Sequence, residues 1–221
     1  MKLLLSFLSI GLVLMHPQGL FSTPAKDSAL EILARRITPA NPRYKTFASA
    51  LTLMNERGAK TIVETGTTRG VNLNDIFAGD GGSTILFADW ASKNNAQFSS
   101  VDINASSFES SKEIIAPYKN HVQLVVSDSV AFLEKFEGTI DMLYLDSYDF
   151  DANNPGPSQT HHLKEIIAAY PKLKKTSIIL IDDCGLPHGG KGTLAIHYLQ
   201  NMGWKVILQG YQVLLIQEVK E

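Results

Sequence analysis

Residues 61–70, TIVETGTTRG, start as an apolar run and turn within a few positions into a polar, glycine-spaced segment. The β-branched start predicts a short strand over Thr61–Glu64 that runs into a turn. Within that turn Gly66 and Gly70 let the backbone approach a ligand closely or adopt positive φ, which a side chain would block. The spacing is neither the G-x-G-x-x-G of dinucleotide folds nor a G-x-x-x-x-G-K-[ST] phosphate loop. One acid with two spaced glycines suits a ligand with a cationic, non-phosphorylated end. The same composition also serves as an ordinary strand-to-helix turn.

Outward from this turn, strands and helices alternate. Ser83–Asn94 has helical character with Ser83 or Gly82 as its N-cap. Phe98–Asp102 and Val122–Val126 read as strands, separated by a helix over Ser106–Tyr118 that breaks near Pro117. A helix over Ser129–Phe136 follows, then a strand over Ile140–Leu145. Leu163, Ile166, Ile167, Tyr170 and Leu173 mark the buried face of the next helix, and Ser177–Ile181 is a strand of the kind buried on both sides. Ala195, Tyr198, Leu199 and Met202 trace a last helical face, before Lys205–Leu208 and Gln212–Gln217 pair across Gly210-Tyr211 as a hairpin. Upstream, Asp27–Arg36 and Tyr44–Arg57 both look helical. Repeated strand–helix–strand units imply an α/β fold: a doubly wound, mostly parallel seven-stranded sheet with helices on both faces and a C-terminal antiparallel hairpin strand.

The chain has 221 residues, of which 44% are hydrophobic, enough for the core of one α/β domain. Net charge is −2, and no dense run of Lys and Arg occurs, so no nucleic-acid partner is expected. Cys184 is the single cysteine, which excludes an intramolecular disulfide. Residues 1–25 form a hydrophobic leader. Lys2 precedes the uncharged stretch Leu3–Met15, and breakers and small residues follow, which is the layout of a signal peptide or anchor. Any membrane contact is expected through this leader alone. Residues 26–58 are then expected to form a helical cap, and 59–221 the main domain.

In open parallel sheets ligands bind beyond the carboxyl ends of the strands. Here those ends are Glu64, Asp102, Asp128, Asp146 and the pair Asp182–Asp183. A carboxylate at that position lies outside the core, so stability does not call for five in succession.

With these residues in place, VETGTTRG resembles motif I of the Rossmann-like (class I) S-adenosylmethionine-dependent methyltransferases, an acid followed by Gly-x-x-x-Gly. SSVDIN resembles their second motif, which implies that Asp102 takes the two ribose hydroxyls. VVSDSVAFL resembles the third and implies that Asp128 and Ser129 lie beside the adenine. The resemblance implies cofactor contacts from Glu64, Gly66, Gly70 and Ser83 as well. Val71–Gly81 looks like an insertion, after which Gly82-Ser83-Thr84 resumes the family's helix start. Which of Gly66, Gly70 and Gly82 meets the methionine end stays open.

LYLDSYDF and ILIDDCG resemble the catechol-type and macrolide-sugar O-methyltransferases. That likeness implies a divalent cation such as Mg²⁺ on Asp146, Asp182 and Asp183, and a small-molecule hydroxyl acceptor. The alternative for the acidic pair is to cap the following loop. The family's Asp-Asn is Asp182–Asp183 here, and its nearby lysine is replaced by Tyr148 and Asp149. His161 and His162 begin a helix beside this loop, where a histidine can serve as base or ligand; Asp146 and His162 are the candidate catalytic residues. His188–Gly192 is a flexible loop able to fold over a substrate, or a plain connector. Trp90 and Trp204 read as core. Two other classes remain to be weighed: a non-catalytic S-adenosylmethionine-binding module, and a nicotinamide-dependent oxidoreductase, which the missing G-x-G-x-x-G disfavours.

Overall fold

The structure is a computed structural model that describes the backbone of residues 24–28 and all atoms of 29–69, 82–109 and 111–218. The leader's residues 1–23, Gly70 and the Val71–Gly81 insertion lie outside the described residues. The strands are β1 (Thr61–Thr65), β2 (Gln97–Asp102), β3 (Val122–Val126), β4 (Ile140–Leu145), β5 (Leu173–Ile181), β6 (Lys205–Gln209) and β7 (Val213–Ile216). The helices are α1 (Pro24–Ala34), α2 (Tyr44–Glu56), α3 (Gly82–Lys93), α4 (Ala105–Glu109), α5 (Lys112–Ile115), α6 (Ser129–Lys135), α7 (Gly156–Ala169) and α8 (Thr193–Asn201).

The strands form one seven-stranded sheet in the order β3-β2-β1-β4-β5-β7-β6. Pairing is parallel from β3 through β5, and β7 runs antiparallel to both β5 and β6. This is the doubly wound, hairpin-terminated architecture expected from the sequence. Strand order reverses between β1 and β4, which places a ligand crevice at their carboxyl ends.

Side-chain alternation divides the core into two layers. Ile62, Met142, Tyr144, Ile178, Leu180 and Leu214 face α1, α2 and α3, where Leu33, Phe47, Leu51, Met54, Leu86 and Trp90 meet them. Val63, Leu143, Leu145, Ile179, Ile181 and Leu215 face the opposite layer, packed on Leu133, Ile166, Ala169, Ala195, Leu199 and Trp204. A period of two along each central strand therefore supplies both faces, and both faces are covered. Both tryptophans are core residues, as expected.

Three elements differ from the sequence expectation. The helix over Ser106–Tyr118 is two short pieces, α4 and α5, with a 3₁₀ turn at Ala116–Tyr118 where Pro117 removes a backbone donor. Strand β5 starts at Leu173 rather than Ser177, because its first residues, including Lys174 and Lys175, extend beyond the helical layers. Helix α1 starts at Pro24 and ends at Ala34, short of Arg36.

Helix α2 is part of the core. Phe47, Ala50, Leu51 and Met54 recur at helical spacing and are fully buried, with Phe47 against Phe87 and Tyr144 at ring-centroid distances of 6.0 and 5.8 Å. Removing a buried ring leaves a cavity that the neighbours only partly fill. Phe47→Ala should therefore cost ~3–5 kcal/mol of stability, read from the urea midpoint at constant m-value. A cost below about 1 kcal/mol would mean that α2 does not share the core of the sheet.

Candidate functional site

Parallel register brings the strand ends level. The hydrogen-bond ladder continues just past the strands: Gly66 N donates to Val101 O (2.8 Å), Asp146 N to Thr65 O (2.9 Å), Asp182 N to Leu145 O (3.0 Å) and Ser127 N to Asp102 O (3.0 Å). The segments leaving β1, β2, β3, β4 and β5 thus open onto one cavity of about 1030 Å³. Gly66, Ser83, Asp102, Asp128, Ser129, Asp146, Asp182 and Asp183 all line it. Eight of the residues singled out in the sequence are brought together there.

Gly66 has φ of +84°, and a Cβ on it would lie 2.4 Å from the carbonyl oxygen of Asp146, so only glycine fits between β1 and β4. Asp102 turns the chain after β2 by accepting from Asn104 N at 2.7 Å. Beside it Ile103 is 67% exposed, an apolar side chain on the cavity wall. Asp128 is the N-cap of α6, accepting from Ala131 N at 2.9 Å, and this fixes the first residue of that helix, Ser129, at the wall.

Two predicted residues do not reach the cavity. Glu64 lies behind the wall, where Oε2 accepts from Thr84 Oγ1 and Ser100 Oγ, each at 2.7 Å. Burial pushes its carboxyl up to about 7, against the hydrogen bonds of Ser100, Ser83 and Thr84. Thr84 Oγ1 also accepts from Thr68 N at 3.0 Å, so Glu64 braces the turn after β1 against the start of α3. His162 is fully buried in α7 with Nδ1 2.8 Å from Ser158 O, and burial lowers its pKa. It is no catalytic candidate; the helix turns its neighbour His161 to the cavity instead. His161 Nε2 is 3.0 Å from Ser129 Oγ and 3.4 Å from Glu165 Oε1, and the contact with Glu165 raises its pKa. Tyr148 packs against the His161 ring at 5.4 Å.

The predicted metal ligands Asp146, Asp182 and Asp183 do converge, but on side-chain cations. Arg43 Nε lies 3.0 and 2.9 Å from the two oxygens of Asp182, and its Nη2 is 3.2 Å from Asp183 Oδ1. Tyr144 donates to Asp182 Oδ2 at 2.7 Å. Lys191 Nζ bridges Asp146 Oδ1 at 2.8 Å and Asp183 Oδ2 at 3.0 Å. Among the described residues no group of three or more His, Cys, Asp and Glu side chains could hold a metal ion. The carboxylates are already paired with side-chain cations at close range, so the donor set does not fit the expected Mg²⁺, which would need several free oxygens at about 2.1 Å. The three acids expected as metal ligands are instead the ion-pair partners of Arg43 and Lys191.

Charge within this cluster is unevenly held. Burial works against ionised Asp183, but Lys191, Tyr211 and Arg43 outweigh it and keep its pKa low. Asp146 is pushed well above the usual carboxylate range by burial and by Asp182, with Lys191 opposing. Asp146 is therefore the member of the cluster best suited to take up a proton. Burial pushes the Cys184 thiol up to about 12, away from the thiolate form that nucleophilic attack requires.

Arg43 and Lys191 were not legible as site residues. Arg43 stands 139 positions from Asp182 and carries no motif. For Lys191 a signal did exist in its glycine flanks. Gly190 has φ of +57°, and a Cβ there would lie 1.6 Å from the carbonyl oxygen of Asp183, so the loop presses directly on the end of β5. The segment Gly190–Gly192 is buried and not a free flap, contrary to the flexible-loop expectation.

Residues 76–184 match the family model of a methyltransferase domain. No curated protein sequence matches the chain. Among solved structures, a Podospora anserina methyltransferase bound to S-adenosylhomocysteine (SAH) is similar over 89% of this chain and 88% of its own, with 15% identity and a TM-score of 0.57. NSun6 from Pyrococcus horikoshii is similar over 90% of this chain and 52% of its own, with 13% identity and a TM-score of 0.56. A TDP-rhamnose 3′-O-methyltransferase of calicheamicin biosynthesis is similar over 87% of this chain and 92% of its own, with 14% identity and a TM-score of 0.55. The fold is that of the Rossmann-like methyltransferases.

The Glu64 brace carries a pH signature. Its folded-state pKa of about 7 exceeds the ordinary glutamate value of 4.5, so folding holds this proton more tightly than the unfolded chain does. That contribution is complete below the unfolded value and is lost as pH rises to about 7. In the ligand-free protein, Glu64→Gln should gain up to about 3 kcal/mol over wild type by pH ~8 and flatten the stability profile above pH ~5. Parallel denaturation profiles for the two proteins across that range would contradict a buried, proton-binding Glu64.

Proposed function

We propose that this protein transfers the methyl group of S-adenosylmethionine to a hydroxyl of a small molecule. The observation that carries the reading is the convergence of Gly66, Asp102, Asp128–Ser129 and Asp146 on one cavity at the switch point of the sheet. Each suits one part of the ligand. Asp102 can accept both ribose hydroxyls, Ile103 offers an apolar face to adenine beside Ser129, and the Gly66 turn admits the methionine end at close range.

The electrostatics agree with a cationic ligand. Asp102, Asp128, Asp146, Asp149, Asp182 and Asp183 line the cavity against Arg43, Arg69 and Lys191. A cleft negative on balance favours a sulfonium and disfavours a phosphate-rich acceptor such as nucleic acid, in line with the net charge of −2. S-adenosylmethionine supplies an electrophilic methyl when bound. The protein's part is to hold the acceptor in line, exclude water and receive the hydroxyl proton, which Asp146 can do.

Calorimetric titration of the full chain with S-adenosylmethionine and SAH tests the cofactor reading. We expect micromolar binding, weakened ~10–100-fold by Asp102→Ala through loss of charge-assisted hydrogen bonds. A folded protein that binds neither compound would overturn the proposal. With an acceptor in hand, Asp146→Asn should lower kcat by about 10²–10⁴ at nearly unchanged KM. Tight cofactor binding with no turnover across hydroxyl acceptors would instead favour the non-catalytic module.

A further inference from the structure

We propose that Lys191 is a resident cation, occupying the position at which Asp146 and Asp183 would otherwise gather a divalent metal, so that methyl transfer here is metal-independent. The catalytic half of this inference rests on the methyltransferase reading above; the cation half does not.

Geometry comes first. Lys191 Nζ stands between the two carboxylates, 2.8 Å from Asp146 Oδ1 and 3.0 Å from Asp183 Oδ2. The remaining acid, Asp182, spends both oxygens on Arg43, and its Oδ2 also accepts from Tyr144. A divalent ion would have to sit about 2.1 Å from its oxygens, inside the space the ammonium fills. Lys191 has no easy retreat. Its side chain is 3% exposed, and its backbone N donates to Asp183 O at 3.3 Å beneath Gly190, which itself touches that oxygen. Displacing the ammonium would mean either stranding a buried charge or unseating the whole Gly190–Gly192 segment.

Charge balance points the same way. Three carboxylates against Arg43 and Lys191 leave at most a single negative charge, which the sulfonium of S-adenosylmethionine would neutralise. Adding a divalent ion would leave the cluster positive beside that sulfonium, a like-charge contact in a poorly solvated site. Lys191 is thus a positioning residue: it fixes one oxygen of Asp146 and supplies the positive charge that a metal would bring. The transfer balances without a metal. The acceptor oxygen forms its bond to the methyl carbon, the carbon–sulfur bond breaks with its electron pair returning to sulfur, and the hydroxyl proton passes to Asp146.

The test is Mn²⁺ binding followed by electron paramagnetic resonance, which needs no methyl acceptor. The proteins are the full-length wild type, Lys191→Met, and Lys191→Met combined with Asp183→Asn. Wild type should leave Mn²⁺ free up to millimolar concentration. Lys191→Met should bind one Mn²⁺ with affinity raised at least about 100-fold, as loss of a like charge ~3 Å away implies, and the added Asp183→Asn should abolish that binding. Micromolar Mn²⁺ binding by wild type, lost in Asp146→Asn, would overturn the inference, whether or not Lys191→Met folds. So would a folded Lys191→Met that binds no Mn²⁺. Calorimetry with SAH on the same wild-type sample reports separately on the cofactor reading, so the failure of one is not mistaken for the failure of the other.

Discussion

A strand packed between two helical layers has no side facing water, so β4 and the second half of β5 can carry charge only where they leave the layers. Met142–Leu145 and Ile178–Ile181 are buried to the last residue, and the next position in each chain is an aspartate. Because the strands are parallel and in register, those exits fall on the same edge of the sheet. The concentration of acids above β4 and β5 is thus a consequence of burial and direction before it is a matter of chemistry. Asp141, at the opposite end of β4, obeys the same constraint: it accepts from the backbone N–H groups of Lys60 and Thr61, pairs with Lys174, and ties the sheet at its other edge.

Acids crowded at one edge repel one another, and the fold answers with two cations from distant parts of the chain. Arg43 arrives at the start of α2, whose apolar face is anchored on the sheet by Phe47, Leu51 and Met54. Its guanidinium spans Asp182 and Asp183 and stacks on Tyr211 at 4.2 Å from the ring centroid. Lys191 arrives from the loop after β5, folded back over Asp183 by the left-handed Gly190. Neither cation is free to leave, so the cluster behaves as a fixed set of charges with one carboxylate, Asp146, kept weakly acidic. Fixed charges cost no reorganisation when a cationic ligand enters, which is the physical basis of preorganisation.

Histidines 161 and 162 illustrate how a helix separates neighbours in sequence. Adjacent residues point about 100° apart, so one faces the cavity and the other the core. His161 gains Glu165 and Ser129 as partners, while His162 is held neutral by burial. Ile166 and Ala169 place one face of α7 against the sheet, while Ile167, expected on that face from the sequence, is half exposed; the phase of the polar start of α7 depends on how that helix docks.

The sequence by itself determined the alternation of strands and helices, the hairpin at the end, and the acids and glycine that leave the strands, because these follow from local periodicity and from the exclusion of charge from a two-sided core. The resemblance of VETGTTRG, SSVDIN and VVSDSVAFL to known motifs rests on the same local runs. Only the tertiary structure decided what each acid does. Glu64 turned inward onto Ser100 and Thr84, which stand 36 and 20 residues away, and Asp146, Asp182 and Asp183 met Arg43 and Lys191 instead of lying open to a metal. Such partners are chosen by proximity across the fold, and a side chain's charge state depends on that proximity and on burial, neither of which is written at the residue itself.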